Sequence, residues 1–179
     1  MEQITITEAL AEIKTIGKRV QSKQDFVKTY LGRFAMNRDP LEKDGGSVAA
    51  VASALQAIRD LMERTVSIRR AIQHANEKNV IVVEGQSRSI ADWLVWRREV
   101  APQQKALYQM LQGGIANARN EAKKRDSRIV EGDSGAANLD VIISVSESQL
   151  ANDIENLETI LGTLDGQLSL KNATITIKI

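Results

Sequence analysis

Between two long helical patterns the chain carries a run that a helix tolerates poorly. Val80-Ile81-Val82-Val83, entered from Asn79, is β-branched at every position, and branching at Cβ restricts χ1 in a helix while suiting a pleated strand. Glu84-Gly85 follows, and glycine enters a turn without steric cost. Ser89 then stands three residues before Asp92, ahead of an apolar run, which is the pattern of a helix start. Residues 71–98 therefore predict two helices joined by a small β-hairpin, and most of the remaining sequence supplies partners for that unit.

Before this unit, Gln3-Ile4-Thr5-Ile6 alternates and reads as a short strand, with Thr7 as the N-cap of a first helix beginning near Glu8. Its apolar spacing runs through Leu10, Ile13, Ile16 and Val20 towards Tyr30 and Leu31. Pro40 and Gly45-Gly46 end it in a first loop, residues 37–46. A second helix starts at Ser47. Val48, Val51, Leu55, Ile58, Leu61 or Met62, Thr65, Ile68, Ile72 and Ala75 form one continuous stripe on it. Roughly 30 residues at 1.5 Å rise make a rod of about 45 Å, which needs other helices against its stripe.

After the hairpin a third helix begins near Ile90, with Pro102 expected to kink or interrupt it and Gly113-Gly114 to weaken it. Residues 131–137 read as a second loop. Residues 139–143 fit either a short strand or an extended lead-in. Ser146 with Gln149 carries a capping-box signature for a fourth helix, along which Leu150, Ile154, Leu157, Leu164 and Leu168 recur and which Asn172 could close. The chain ends on an alternating strand, residues 173–179.

Parity organises these elements. Each reversal of a helical rod returns the chain to one pole, so both terminal strands and the hairpin gather there while the two loops gather at the other. Isolated short strands are unstable, which makes pairing among them the economical outcome. Strand edges left free could pair with a neighbouring subunit. The expected fold is mainly α: an elongated up-down helical bundle with a small sheet, terminal strands plus hairpin, at one end. It forms a single domain over residues 1–179, with flexible loops near 37–46 and 129–138.

Composition narrows the function classes. With 24 basic and 23 acidic residues and a formal charge of +1, the chain lacks the basic excess of a nucleic-acid footprint. Cysteine is absent and His74 is the one histidine, so thiolate sites, cysteine nucleophiles and a histidine-rich metal centre within one chain are excluded. No leader pattern opens the sequence and no apolar run approaches the roughly 20 residues that span a bilayer. Synthesis in the cytoplasm is the expectation.

No reaction chemistry converges. His74 lies near a helix C-terminus, where positive charge is favoured, and no serine stands in an elbow motif with Asp92. The carboxylates scatter over helices, as solvated or salt-bridged faces do. Gly45-Gly46 and Gly113-Gly114 lack the Lys-Ser/Thr of a phosphate loop. Neither an enzyme nor a cofactor is expected. Aromatic residues are only 3% of the chain, yet Trp93 and Trp96 sit three apart and Arg97 follows. They pack beneath the hairpin or anchor an interface, since Trp and Arg are favoured at hot spots. Ile175 and Ile177 on the last strand complete the candidate interface set.

The segments Ile4–Lys14 with Lys18-Arg19, Arg59–Arg64, Ile68–Ile72, Ser89–Trp93 and Asn172–Ile179 resemble a family of phage-encoded helical virion proteins. A more distant similarity is to small bacterial helical proteins of the septicolysin-like type, which share the helix–hairpin–helix plan. The resemblance spans most of the chain but fits residues 33–46 and 126–145 poorly, and its motifs are structural. It implies a non-enzymatic structural component of a tailed-phage particle (capsid-associated, neck or collar, tail or baseplate) made in the host cytoplasm. The long rod and its aliphatic stripe predict self-association as a homo-oligomer through helical and strand contacts; the resemblance adds other virion proteins as partners, with no small-molecule substrate and no membrane. The charge balance points away from nucleic acid, and a nucleic-acid-binding factor is the third and last reading. The septicolysin name suggests membrane damage, for which the chain has no cationic amphipathic segment suited to insertion. The alternative expectation is a cytoplasmic assembly chaperone or adaptor for a virion protein.

Overall fold

The computed structural model describes residues 3–129 and 141–179, the backbone alone over 125–129. The protein is mainly helical, with elements in the order β1 (Gln3–Thr5), α1 (Ile6–Tyr30), α2 (Ser47–Lys78), β2 (Val80–Val83), β3 (Gln86–Ser89), α3 (Ile90–Val95), α4 (Ala101–Ile129), α5 (Glu147–Thr174) and β4 (Thr176–Lys178). These fall into two compact units, Met1–Val80 with Leu168–Ile179, and Ile81–Gln167.

In the first unit, α1 and α2 form an antiparallel hairpin whose faces meet along Ile6, Ala9, Ile16 and Ile68. Arg64 Nε donates to Glu12 Oε1 across it at 3.0 Å. β1 pairs antiparallel with β4, Gln3 opposite Lys178, Ile4 opposite Ile177 and Thr5 opposite Thr176. Ile177 joins the same buried cluster. The two ends of the chain therefore meet, as parity requires. The first helix starts earlier than Thr7 suggests. Thr5 is its N-cap, its hydroxyl accepting from the Glu8 N–H while the Glu8 carboxylate accepts from the Thr5 N–H at 2.8 Å. Thr5 has a glutamate three residues on, whereas Thr7 has Leu10, so only Thr5 can close this reciprocal box. The shift makes Ile6 helical and buries it.

The connection between α1 and α2 is organised by Asp39. Its carboxylate accepts from the Leu41 N–H at 2.9 Å, from the Ser47 N–H at 2.9 Å and from the Ser47 hydroxyl. It thereby satisfies a donor in the first turn of α2 that Gly46, the nominal cap, cannot. These bonds, the Ser47 hydroxyl's the largest, hold the Asp39 carboxyl down at about 2.

In the second unit β2 and β3 form the expected hairpin. Glu84 at φ 46° and Gly85 at φ 74° give the two positive-φ residues whose twist matches two-residue hairpins. The two terminal strands and the two hairpin strands expected from the sequence are present, but they pair as two separate two-stranded sheets, β1 with β4 and β2 with β3. Ser89 caps α3 by accepting from the Asp92 N–H at 3.0 Å. The interruption expected from Pro102 takes the form of a wide helical turn at Trp96–Val100, in which the Ala101 N–H reaches the Trp96 carbonyl five residues back. Proline donates no hydrogen bond and crowds the carbonyl four residues before it, and one wide turn just ahead of it relieves both constraints. Gly113-Gly114 does not break α4.

α4 and α5 run antiparallel. Arg97 Nη1 meets Asp165 at 3.0 Å near one end, and Arg119 meets Glu147 at 2.5 Å near the other. Ser146 caps α5 by accepting from the Gln149 N–H, while the Gln149 side chain turns to Asp153, so only half of the expected box forms. The helix continues past Asn172 to Thr174. Residues 141–143 form no strand. The rest of the expected second loop, past Ile129, lies outside the described residues.

Candidate functional site

The predicted interface residues do not share one environment. Trp93 is 1% exposed. Its indole Nε1 donates to the Ile81 carbonyl at 3.3 Å, and the Arg88 guanidinium lies 5.0 Å from its ring centre. Ile81, Val83 and Ile90 are buried as well. Alternation along β2 turns Ile81 and Val83 inward, and the Ser89 cap starts α3 so that Ile90 and Trp93 fall on one face. Trp93 is therefore the anchor of the hairpin. Trp96 packs edge-on against it, centroids 5.6 Å apart at 88°, and stays half-buried. Arg97 is exposed and paired with Asp165. Ile177 is 5% exposed in the terminal sheet, and Ile175 is packed against the same cluster.

Trp96 borders a cleft of about 250 Å³ in the second unit, lined also by Arg88, Gln104, Tyr108, Asp153 and Asn156. The cleft is polar with an aromatic wall and holds one cation and one carboxylate. Sequence reading missed it because its residues come from four separate segments at no fixed spacing. Among the described residues, the carboxyls clearly displaced from their ordinary range are Glu8 and Asp39. Both are lowered by the N–H and hydroxyl groups of the helix starts they cap, so the displacement belongs to structure rather than catalysis. His74 is exposed on α2, 3.6 Å from Glu77. No group of three His, Asp or Glu among the described residues could hold a metal ion, and no described helix is long and apolar enough to cross a membrane.

In the first unit, apolar side chains stand in solvent. Leu31, Phe34 and Met36 are exposed between α1 and α2, beside an open groove of about 610 Å³ lined by Leu31, Arg33, Val48, Val51 and Leu55. Along α2 the exposure continues in register: Val48 is 86%, Leu55 39%, Met62 48% and Val66 52% exposed. These positions follow at intervals of seven, seven and four, which keeps them on one side of a helix. The stripe read from the sequence as one face is thus two. Ala54, Ile58 and Ile68 are buried and Leu61 and Ile72 half-buried, whereas Val48, Leu55, Met62 and Val66 form a second, open seam beside them.

No family model matches the chain, and neither the curated proteins nor the solved structures contain a match.

Proposed function

We propose that this protein is a non-enzymatic structural component of a tailed-phage virion that assembles with copies of itself and with other virion proteins. The observation that carries self-association is the open seam of α2, where Val48, Leu55, Met62 and Val66 lie in solvent at helical register. Aliphatic side chains aligned on a rigid helix gain free energy when a second helix covers them, at about 25 cal/mol for each Å² removed from water. The sheets add a second means of contact, since each strand of a two-stranded sheet keeps one edge with unpaired N–H and C=O groups. The resemblance of segments such as Ile4–Lys14 and Asn172–Ile179 to phage-encoded helical proteins supports the virion as the place.

Mass spectrometry of purified particles, with light scattering of the pure protein, tests this reading. The expected result is a stoichiometric virion component that is oligomeric in solution. A chain monomeric at high concentration and missing from particles overturns it. A chain abundant in infected-cell lysate but missing from particles indicates the chaperone function instead, with exposed Leu31, Phe34 and Met36 as the holding surface.

A further inference from the structure

We propose that the open seam of α2 is covered by the α2 of a second copy of this chain, running antiparallel about a two-fold axis that passes between Asp60 and Leu61. The proposal rests on the self-associating reading and adds to it the surface, the orientation and the register.

Orientation follows from two charges at one edge of the seam. Arg59 and Glu63 are one turn apart on α2 and both exposed. The Arg59 guanidinium donates to the Gln56 amide oxygen, at 2.8 and 3.2 Å, rather than to a carboxylate. Glu63 has no hydrogen-bond or ion-pair partner among the described residues. In a two-fold antiparallel pair an edge meets the same edge of its sister, so a positive and a negative residue one turn apart meet in exchange, Arg59 with the partner's Glu63 and Glu63 with the partner's Arg59. In a parallel pair this edge meets the opposite edge, where Val51, Ile58 and Arg69 lie and no carboxylate stands. A parallel pair would thus offer Glu63 the partner's Arg69 but leave Arg59 without a carboxylate, so both charges are matched in the antiparallel direction only.

Register follows from the same pairing. With the axis between Asp60 and Leu61, Leu55 lies opposite the partner's Val66 and Met62 lies opposite the aliphatic stem of the partner's Arg59. Arg59 is then within one residue's rise, about 1.5 Å, of the level of the partner's Glu63. Exposed ion pairs contribute little affinity but decide register and partner. The apolar contacts supply the binding.

The natural chain has no cysteine, so cross-links report this geometry without background. The double variant Leu55→Cys/Val66→Cys should give a disulfide-linked dimer under mild oxidation, reversed by reductant. Its two thiols are about 16 Å apart along one helix, well beyond the roughly 7 Å between Cα atoms that a disulfide spans, so they cannot close within a chain. Each single variant should cross-link at least about tenfold less. Arg59→Glu should weaken the dimer about tenfold, and Arg59→Glu/Glu63→Arg should restore it, with circular dichroism confirming that every variant is folded.

Efficient cross-linking of the single variants would mean parallel helices and would overturn the proposal. So would cross-linking of Val48→Cys/Val66→Cys in place of the Leu55/Val66 pair, or failure of the charge swap to restore the dimer. An oligomer in which none of these pairs reacts overturns this contact and leaves self-association standing. A monomer missing from particles removes both.

Discussion

Replacing Ile177 by alanine tests whether the last strand closes the core of the first unit. Ile177 is 5% exposed, stands opposite Ile4 on β1 and belongs to the cluster of Ile6, Ala9, Ile16 and Ile68. Truncating a buried isoleucine to alanine removes three carbons and leaves a cavity that the neighbours fill only in part, at a cost of about 2–5 kcal/mol. Ile177 sits on a three-residue strand at the end of the chain, where collapse is easier than in a helix interior. The lower half of that range, about 2–3 kcal/mol, is therefore expected. Against the roughly 5–15 kcal/mol that holds a domain folded, this is a large fraction. Urea unfolding followed by far-ultraviolet circular dichroism reads it directly. With an m-value of about 2 kcal/mol/M, the midpoint should fall by about 1–1.5 M at unchanged slope. Lys178→Ala, next along the strand but exposed, should change stability by no more than about 0.5 kcal/mol. The amide of Ile6, which donates to the Ile175 carbonyl at 3.1 Å, should lose hydrogen-exchange protection in Ile177→Ala. Equal effects of the two substitutions, or an undisturbed Ile6 amide, would refute the claim that β4 seals this core.

Thr5→Ala removes one half of the reciprocal cap on α1 and should cost about 1 kcal/mol in the same unfolding experiment. Glu84→Asn, at φ 46° in the hairpin turn, should stabilise the hairpin by about 0.5–1 kcal/mol, since asparagine enters the left-handed region more readily than glutamate. The Asp39 carboxyl is lowered from 3.8 to about 2 in the folded protein, so its contribution is complete above about pH 4 and is lost as pH falls through 2. Asp39→Asn should therefore lower the urea midpoint at pH 5, and its difference from the natural protein should shrink as pH approaches 2. A difference that does not change with pH would show that Asp39 acts through shape rather than charge.

Much of the architecture was legible because several local signals agreed. The β-branched run, Glu84-Gly85 and the Ser89 cap each specify the hairpin by independent physics, and the structure places strand, turn and helix where they predict. Pro102 announced an interruption by chemistry alone. α1 is capped two residues before the expected Thr7 because Thr5 and Thr7 are both acceptable caps by residue type. Glu8, three residues after Thr5, was the signal that distinguished them. Asp39 carries no local signal in the sequence, because it caps α2 from eight residues upstream, beyond the three-residue spacing of a capping motif. Pairing of the four strands as two sheets rather than one was also beyond a single sequence, because strands of three or four residues carry too few side chains to specify a partner.

α2 shows most clearly where sequence reading stops and why. The apolar positions of the stripe, from Val48 to Ala75, fall at helical spacing, so pattern alone joins them into one face. Tertiary packing divides that face, burying Ile58 and Ile68, the latter against α1 and Ile177, and leaving Leu55 and Met62 in solvent. Yet the width of the stripe was itself information. One neighbouring helix covers an arc of about 100°, and a set that includes Val48, Leu55 and Met62 as well as Ile58, Leu61 and Ile68 spans more than that. A stripe wider than one helix covers leaves room for another, and the copy of α2 proposed above, met through Arg59 and Glu63 one turn apart beside the open half, would fill it.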